Sequence, residues 1–306
     1  MMQRIRIGQG WRRWQWPRRR RGTSHQKRRL NQRKAFWLGL LTLASLFYVG
    51  VVEPRWIEVR QIAITLPQLD SAFEGYRIVQ LTDIHADRWM DADRLGHIVQ
   101  LTNRQNPDLV VMTGDYVTRS ATEFTPTLQA LAQLSAPDGT LAVMGNHDMY
   151  EHSAMIADQL TQAKVQVLEN QTVNLSRQAA PLTIAGLGDA LTFHDDLPAV
   201  LSQLPAQGPA ILLAHEPDVA DQTAASDRFG LQLSGHSHGG QIKLPMIGVR
   251  RITPKLAKKY PNGLYQVGNL MQYTSRGVGL AGRVRIRLNC RPEITVFTLH
   301  TPATAT

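Results

Sequence analysis

The chain has 306 residues, 43% of them hydrophobic and 19% charged, which is enough apolar material to bury a sizeable core and excludes a disordered chain. Its formal charge of +10 is unevenly placed: residues 1–34 hold 13 Lys and Arg and no Asp or Glu, which leaves 21 basic against 24 acidic residues, a net −3, for the remainder. The basicity belongs to an arm and not to a folded surface, which argues against nucleic acid as a partner, and the single Cys290 excludes an internal disulfide and a cysteine-based metal cluster.

In the arm, residues 1–34, Trp11, Trp14 and Trp16 interleave with Arg12, Arg13 and Arg18 to Arg21. The plain reading is a solvated topology determinant; the mixture of indole and guanidinium also suits anionic lipid headgroups. Residues 35–52, AFWLGLLTLASLFYVGVV, carry no charge and as a helix would be about 27 Å long, close to the hydrocarbon thickness of a bilayer. A cleaved signal peptide is the competing reading, but its apolar region is shorter, and no A-x-A site precedes Glu53 and Pro54. The expectation is an uncleaved transmembrane anchor with a cytoplasmic N-terminus, which places residues 53–306 outside the cytoplasm.

Beyond the anchor, short apolar runs alternate with helical patterns. Tyr76 to Gln80, Leu109 to Met112, Leu141 to Met144 and Ile211 to Leu213 each read as a buried strand that ends in polar residues. Leu95, Ile98, Val99 and Thr102 mark one helical face; Leu128, Leu131 and Leu134 mark another. After residue 230 the pattern turns to strands, at Leu231 to Ser234, Leu264 to Val267, Arg283 to Leu288 and Glu293 to Leu299. The alternation predicts an α/β domain of mixed sheets flanked by helices.

The polar residues at these strand ends are metal-capable. Asp83 and His85, Asp115, Asn146 with His147 and Asp148, His215, and His236 with His238 all fall where α/β sheets bind ligands. Singly, each fragment is ordinary: a Gly-Asp pair is usually a turn, and a lone histidine is usually a satisfied core residue. Together they suggest one cleft. A carboxylate such as Asp115 can be shared by two divalent cations, and imidazole with carboxylate suits Zn, Mn or Fe. Gly235, Gly239 and Gly240 leave room for close backbone approach around His236 and His238.

The order TDIHAD, TGDYV, GNHD, AHEPD and SGHSHGG resembles the calcineurin-like metallophosphoesterase superfamily, and GHSHGGQ with the later SRGVG and RPEI looks most like its membrane-associated bacterial branch. That branch includes phosphodiesterases and hydrolases of the lipid A precursor UDP-2,3-diacylglucosamine. The resemblance implies a four-layer αββα sandwich and two divalent metal ions. It assigns Asp83, His85 and His238 to one metal and Asn146, His215 and His236 to the other, with Asp115 bridging. It departs from the superfamily at Thr118, where many members have a second Asp.

The resemblance implies hydrolysis of a phosphate ester or diphosphate by metal-activated hydroxide, on a phosphate-containing small molecule or a lipid-linked substrate. In that scheme His147 donates a proton to the leaving oxygen with Asp148 orienting its ring, or stabilises transition-state charge. Lys255, Lys258, Lys259 and Arg276 are secondary phosphate candidates, with a solvated face as the default. Two other classes compete with the enzyme: a metal-binding pseudoenzyme scaffold, and a tethering protein that acts through its basic arm. Asn146, His147 and Asp148 together favour the enzyme. A reporter fused after Thr306 is expected to behave as extracytoplasmic; a cytoplasmic signal would reverse the orientation and favour the UDP-linked precursor, which is made on that side.

Overall fold

The computed structural model describes residues 24–244, 253–282 and 285–302. They form two units, Met1–Leu46 and Phe47–Thr306. The first contains most of helix α1 (Ser24–Phe47), which runs on as a π-helical turn at Tyr48–Val52 and a 3-10 turn at Glu53–Arg55. The stretch Lys27–Arg55 is long and apolar enough to cross a membrane, and none of its apolar window is buried, whereas the core helix of a soluble domain would be covered.

Among the described residues of the second unit, twelve strands make two six-stranded sheets. They are β1 (Glu58–Thr65), β2 (Arg77–Leu81), β3 (Leu109–Thr113), β4 (Thr140–Val143), β5 (Val165–Val167) and β6 (Gln171–Arg177). There follow β7 (Ala180–Gly186), β8 (Ala210–Leu213), β9 (Leu231–Ser234), β10 (Gly263–Val267), β11 (Leu270–Thr274) and β12 (Glu293–His300). The first sheet has the order β1-β12-β2-β3-β4-β5 and the second β10-β11-β9-β8-β7-β6. Both are mixed: β12 is antiparallel to β2 but parallel to β1, and the β6–β7 and β10–β11 hairpins are antiparallel beside parallel β7, β8 and β9.

Period-two alternation fixes the layers. Ile78, Leu109 and Val111 of the first sheet meet Ile184, Ile211, Leu213 and Leu233 of the second in one inner core. Their neighbours Val79, Val110 and Met112 face outward onto Leu95, Ile98 and Val99 of α2 (Ala92–Asn103) and onto Ile156 and Leu160. On the other outer face Leu212 packs with Val200 and Ala220. The result is the expected αββα sandwich. The remaining helices are α3 (Ala121–Phe124), α4 (Asn146–Tyr150), α5 (Ser153–Gln162), α6 (Leu197–Gln203) and α7 (Ala220–Ala225).

Two local expectations differ from the structure. Leu128, Leu131 and Leu134 lie along a 3-10 helix, Thr125–Gln133, with Leu134 as its C-cap; a spacing of three throughout matches three residues per turn better than 3.6. Of the strand expected at Arg283 to Leu288, residues 283 and 284 lie outside the described residues, and the rest makes only an isolated bridge from Leu288 to Ile242. There the chain serves Arg287, whose fully buried guanidinium donates to the carbonyls of Cys290, Arg276, Gly277 and Gly279. The same segment meets the chain just after the apolar helix: the Arg287 N–H donates to the Val49 carbonyl at 3.0 Å, and the Cys290 N–H to Glu53 Oε1 at 2.6 Å.

Ile184→Ala in the inner core should cost about 2–5 kcal/mol of unfolding free energy, whereas Phe193→Ala, at a residue 86% exposed, should change it by no more than about 0.5 kcal/mol. Chemical denaturation of the two variants checks the contrast.

Candidate active site

Asp83, Asp115, Asn146, His215 and His236 sit two or three residues past the C-terminal ends of β2, β3, β4, β8 and β9. His85 and His238 follow two residues later on the same loops. Because the two sheets face one another, these edges converge. All seven residues are buried. Five of them, Asp83, His85, Asp115, His236 and His238, have φ between 50° and 67°. Side chains with a Cβ rarely adopt that left-handed region, and it concentrates at functional sites.

Asp115 is the hinge of the cluster. Its Oδ2 lies 3.4 Å from His85 Nε2 and 3.3 Å from His215 Nε2. On one side, ligand atoms of Asp83, His85, Asp115 and His238 all fall within 4.8 Å of one another; on the other, those of Asp115, His215 and His236 do. His238 Nε2 is 3.2 Å from Asp83 Oδ1 and 3.0 Å from His85 Nε2, and His236 Nδ1 is 3.1 Å from His215 Nε2.

Outer hydrogen bonds orient two of the rings. His215 Nδ1 meets the Thr113 carbonyl at 2.7 Å, and His236 Nε2 meets the Lys255 carbonyl at 2.9 Å. A carbonyl only accepts, so each of these nitrogens carries a proton, and on the His236 ring the other presents a lone pair to the cluster. Burial pushes His85 down to about 3 and His236 down to about 4, which keeps both neutral and able to ligate. Burial also opposes charge on His215, but the Asp115 carboxylate bonded to it holds that ring well above its ordinary value. Asp83, despite burial, is lowered to about 2 by His238.

This donor set fits divalent cations. The Oδ1 of Asn146 is buried without a hydrogen-bond partner, and Asn146 lines the same 310 Å³ cavity as Asp115, His147, His236 and His238. An orphaned amide oxygen beside converging imidazole lone pairs and a shared carboxylate is a ligand arrangement, since no proton placement satisfies all of those acceptors.

Backbone space is as restrictive as the ligands. A Cβ on Gly235 would stand 2.0 Å from Thr82 Oγ1 and 2.5 Å from Asp83 Oδ2. One on Gly145 would stand 2.5 Å from Asp115 Oδ1 and 2.8 Å from His215 Cε1. Both positions admit only glycine without displacing a ligand.

Asp148 does not orient the ring of His147, contrary to expectation. Its carboxylate accepts the backbone N–H groups of Asp115, Tyr116 and Gly145 at 2.8, 2.7 and 2.9 Å, and that of Val117 at 3.3 Å. From the first turn of α4 it points back at the β3 and β4 loops and fixes the Asp115 loop from behind. Burial and the Asp115 charge push Asp148 up to about 7 against those donors. The ring of His147 is held instead by the Thr118 carbonyl, 3.2 Å from Nδ1. Thr118, the point of departure from the superfamily, also donates its hydroxyl to the His85 carbonyl at 3.2 Å.

Several residues were invisible to sequence reasoning. Gln80 points into the inner core and donates to Thr113 Oγ1 and the Ser234 carbonyl at 2.9 and 3.0 Å, tying the two sheets together behind the ligands. Glu216 accepts the N–H groups of Ala190 and Leu191 at 3.1 and 3.4 Å, which places Leu191 on the cavity wall. The only signal for Glu216 was its place beside His215. Of the secondary candidates, Arg276 is paired with Glu293 and Glu58 and Lys259 with Asp221, so neither is free for phosphate. Asp196 caps α6 by accepting the Ala199 N–H at 2.9 Å.

Comparison with known proteins is decisive. The family profile described as Calcineurin-like phosphoesterase matches residues 76–240. The chain belongs to this family. It is 37% identical over 257 residues to the uncharacterized metallophosphoesterase YkuE of Bacillus subtilis, covering 82% of this chain and 88% of that one. It is 32% identical to the phosphodiesterase YaeI of Escherichia coli, over 85% and 94% of the two chains. It is also 30% identical to a zebrafish (Danio rerio) transmembrane protein with a metallophosphoesterase domain, over 86% and 62%. The protein is therefore a metal-dependent phosphoesterase, and its cofactor is a pair of divalent cations.

Asp148→Asn would turn an amide N–H₂ toward backbone N–H groups. It should cost about 2–4 kcal/mol of stability and lower metal content with it, as read by denaturant unfolding and elemental analysis of the same preparation.

Proposed function

We propose that the protein is a membrane-anchored phosphodiesterase in which Asp83, His85 and His238 hold one cation, Asn146, His215 and His236 hold the other, and Asp115 is shared. The observation that carries the reading is the position of Asp115 Oδ2, 3.4 Å from His85 Nε2 and 3.3 Å from His215 Nε2: one carboxylate oxygen serves two ligand groups. When bound, such a pair neutralises phosphate oxygens and makes water a competent nucleophile near neutral pH.

The chain's own residues supply the rest. Asp148 and Thr113 fix the Asp115 loop and the His215 tautomer. His147 lines the cavity beside Asn146; its backbone N–H donates to Asp115 Oδ1 at 3.0 Å, and its Nδ1 is occupied by the Thr118 carbonyl. That leaves Nε2 facing the cavity; protonated at both nitrogens, the imidazolium would give its Nε2 proton to the leaving oxygen, the group would depart as an alcohol and the ring would be left neutral with its proton on Nδ1. Leu191 and Pro254 contribute apolar wall to the cavity beside these polar groups.

The name of the Escherichia coli relative favours a diester. The apolar helix and the zebrafish relative favour a membrane location, which brings lipid-linked phosphate esters within reach. The charged arm favours an extracytoplasmic domain and so disfavours UDP-2,3-diacylglucosamine.

The test is turnover of diesters by the full chain in detergent, with Mn or Zn restored after chelation. Activity should return with about two metal ions per chain, and failure of both metals to restore it would overturn the enzyme reading. His147→Ala should retain its metals and lose about 10²- to 10⁴-fold in rate on alkyl leaving groups. Its loss on nitrophenyl leaving groups should be much smaller; equal losses would make His147 a charge stabiliser.

A further inference from the structure

A second cavity, of 480 Å³ against 310 Å³ for the metal cleft, shares no lining residue with it. It lies where the apolar helix ends. Pro54 and Arg55, from the 3-10 turn that closes that helix, form one wall, and Trp89, Asp91, Asp93 and Arg94 contribute the opposite side. Arg55 follows the last apolar residue, Val52, by three positions, a rise of about 6 Å in a 3-10 turn. That depth is within the headgroup layer outside a bilayer's hydrocarbon core.

Among the described residues neither arginine has an ion-pair partner. Arg55 donates Nη1 to the Val51 carbonyl at 3.0 Å, and Arg94 donates Nε to the Trp89 carbonyl at 2.8 Å. The Arg94 guanidinium lies 4.0 Å over the Trp89 ring. Burial and the nearby charge of Arg55 lower Arg94, against the carboxylates of Asp91 and Asp87, and both guanidiniums line one space. On the rim Asp91 uses Oδ1 to cap α2 through the Arg94 N–H at 2.9 Å, and Asp93 makes no side-chain hydrogen bond among the described residues. Two guanidiniums without an ion-pair partner among the described residues and two carboxylates, all lining one cavity, give no net charge. They match a ligand that carries phosphate and ammonium together. A quaternary ammonium would need an open aromatic face, and Arg94 already covers one face of Trp89.

We propose that this juxtamembrane cavity binds the headgroup of an aminophospholipid, its phosphate on Arg55 and Arg94 and its primary ammonium on Asp91 and Asp93. The proposal rests on the membrane-anchor reading above. A bound headgroup would fix the height at which the domain stands at the bilayer, on a site separate from the reacting phosphate.

The test uses the full chain in mild detergent, with dihexanoyl phosphatidylethanolamine as probe and native mass spectrometry as readout. One lipid should bind per chain, and the Arg55→Gln/Arg94→Gln double variant should bind it about tenfold or more weakly, the scale of a lost charge-assisted pair. Asp93→Asn should weaken phosphatidylethanolamine and leave the weaker binding of dihexanoyl phosphatidylglycerol unchanged. All three proteins should hydrolyse a soluble nitrophenyl diester at the wild-type rate, which shows that they are folded. Undiminished lipid binding by the double variant overturns the proposal. So does binding of phosphatidylglycerol or inorganic phosphate as tight as that of phosphatidylethanolamine, which would describe a plain anion site. Membrane fractionation of cells is scored separately: a chain found in the soluble fraction that still binds the probe through Arg55 and Arg94 keeps the headgroup site and loses the anchor.

Discussion

Four buried imidazoles and two buried carboxylates occupy a space in which their lone pairs point at one another. His85 Nε2 and His238 Nε2 are 3.0 Å apart, and both approach a carboxylate oxygen. His215 and His236 have already spent their outer nitrogens on carbonyls, and positive charge at the centre would offset the repulsion among the inner atoms. Much of the domain serves to hold these groups close despite their repulsion: left-handed backbone at five ligand positions, glycines where a Cβ would strike a ligand, and Asp148 bracing the loop that carries Asp115.

Neither sheet builds the site alone. The first supplies Asp83, His85, Asp115 and Asn146, and the second supplies His215, His236 and His238. The inner core between them is consequently part of the active site, and Gln80, bonded to Thr113 on its own sheet and to Ser234 on the other, is its nearest polar rivet. Metal binding and sheet packing are linked in such a design, since cations that bind only the packed form stabilise it.

The clustering of these polar residues was legible in the sequence because metal chemistry restricts residue type and α/β topology restricts where such residues fall. Buried parallel strands such as Leu109 to Met112 read clearly as apolar runs. What escaped reading depended on contacts distant in sequence. The insertion of β12 between β1 and β2, parallel to the first and antiparallel to the second, leaves no mark in local periodicity. The carboxylate of Asp148 was read through its neighbour His147, whereas its partners lie more than 30 residues away, at Asp115 and Tyr116. Arg287 was read as one residue of a strand from Arg283 to Leu288, yet its guanidinium is buried among four carbonyls. Composition favours the surface for arginine, and only the arrangement of those carbonyls reverses that preference.

The junction between Val49 and Cys290 bears on how this protein can be cut. Glu53 and Val49 accept N–H groups from Cys290 and Arg287. Cys290 Sγ in turn donates to the carbonyl of His238 at 3.2 Å, and Arg287 holds Gly277 and Gly279, whose backbone backs Asp83. The residues leaving the apolar helix are thus two hydrogen bonds from His238, a candidate metal ligand. A soluble fragment begun at Glu53 would discard the Val49 acceptor and leave the Arg287 N–H to find another. One begun at Phe47, where the second compact unit starts, retains it at the cost of six apolar residues from the end of the span. The boundary of the folded domain and the boundary of the apolar segment therefore overlap, and no single cleavage point respects both.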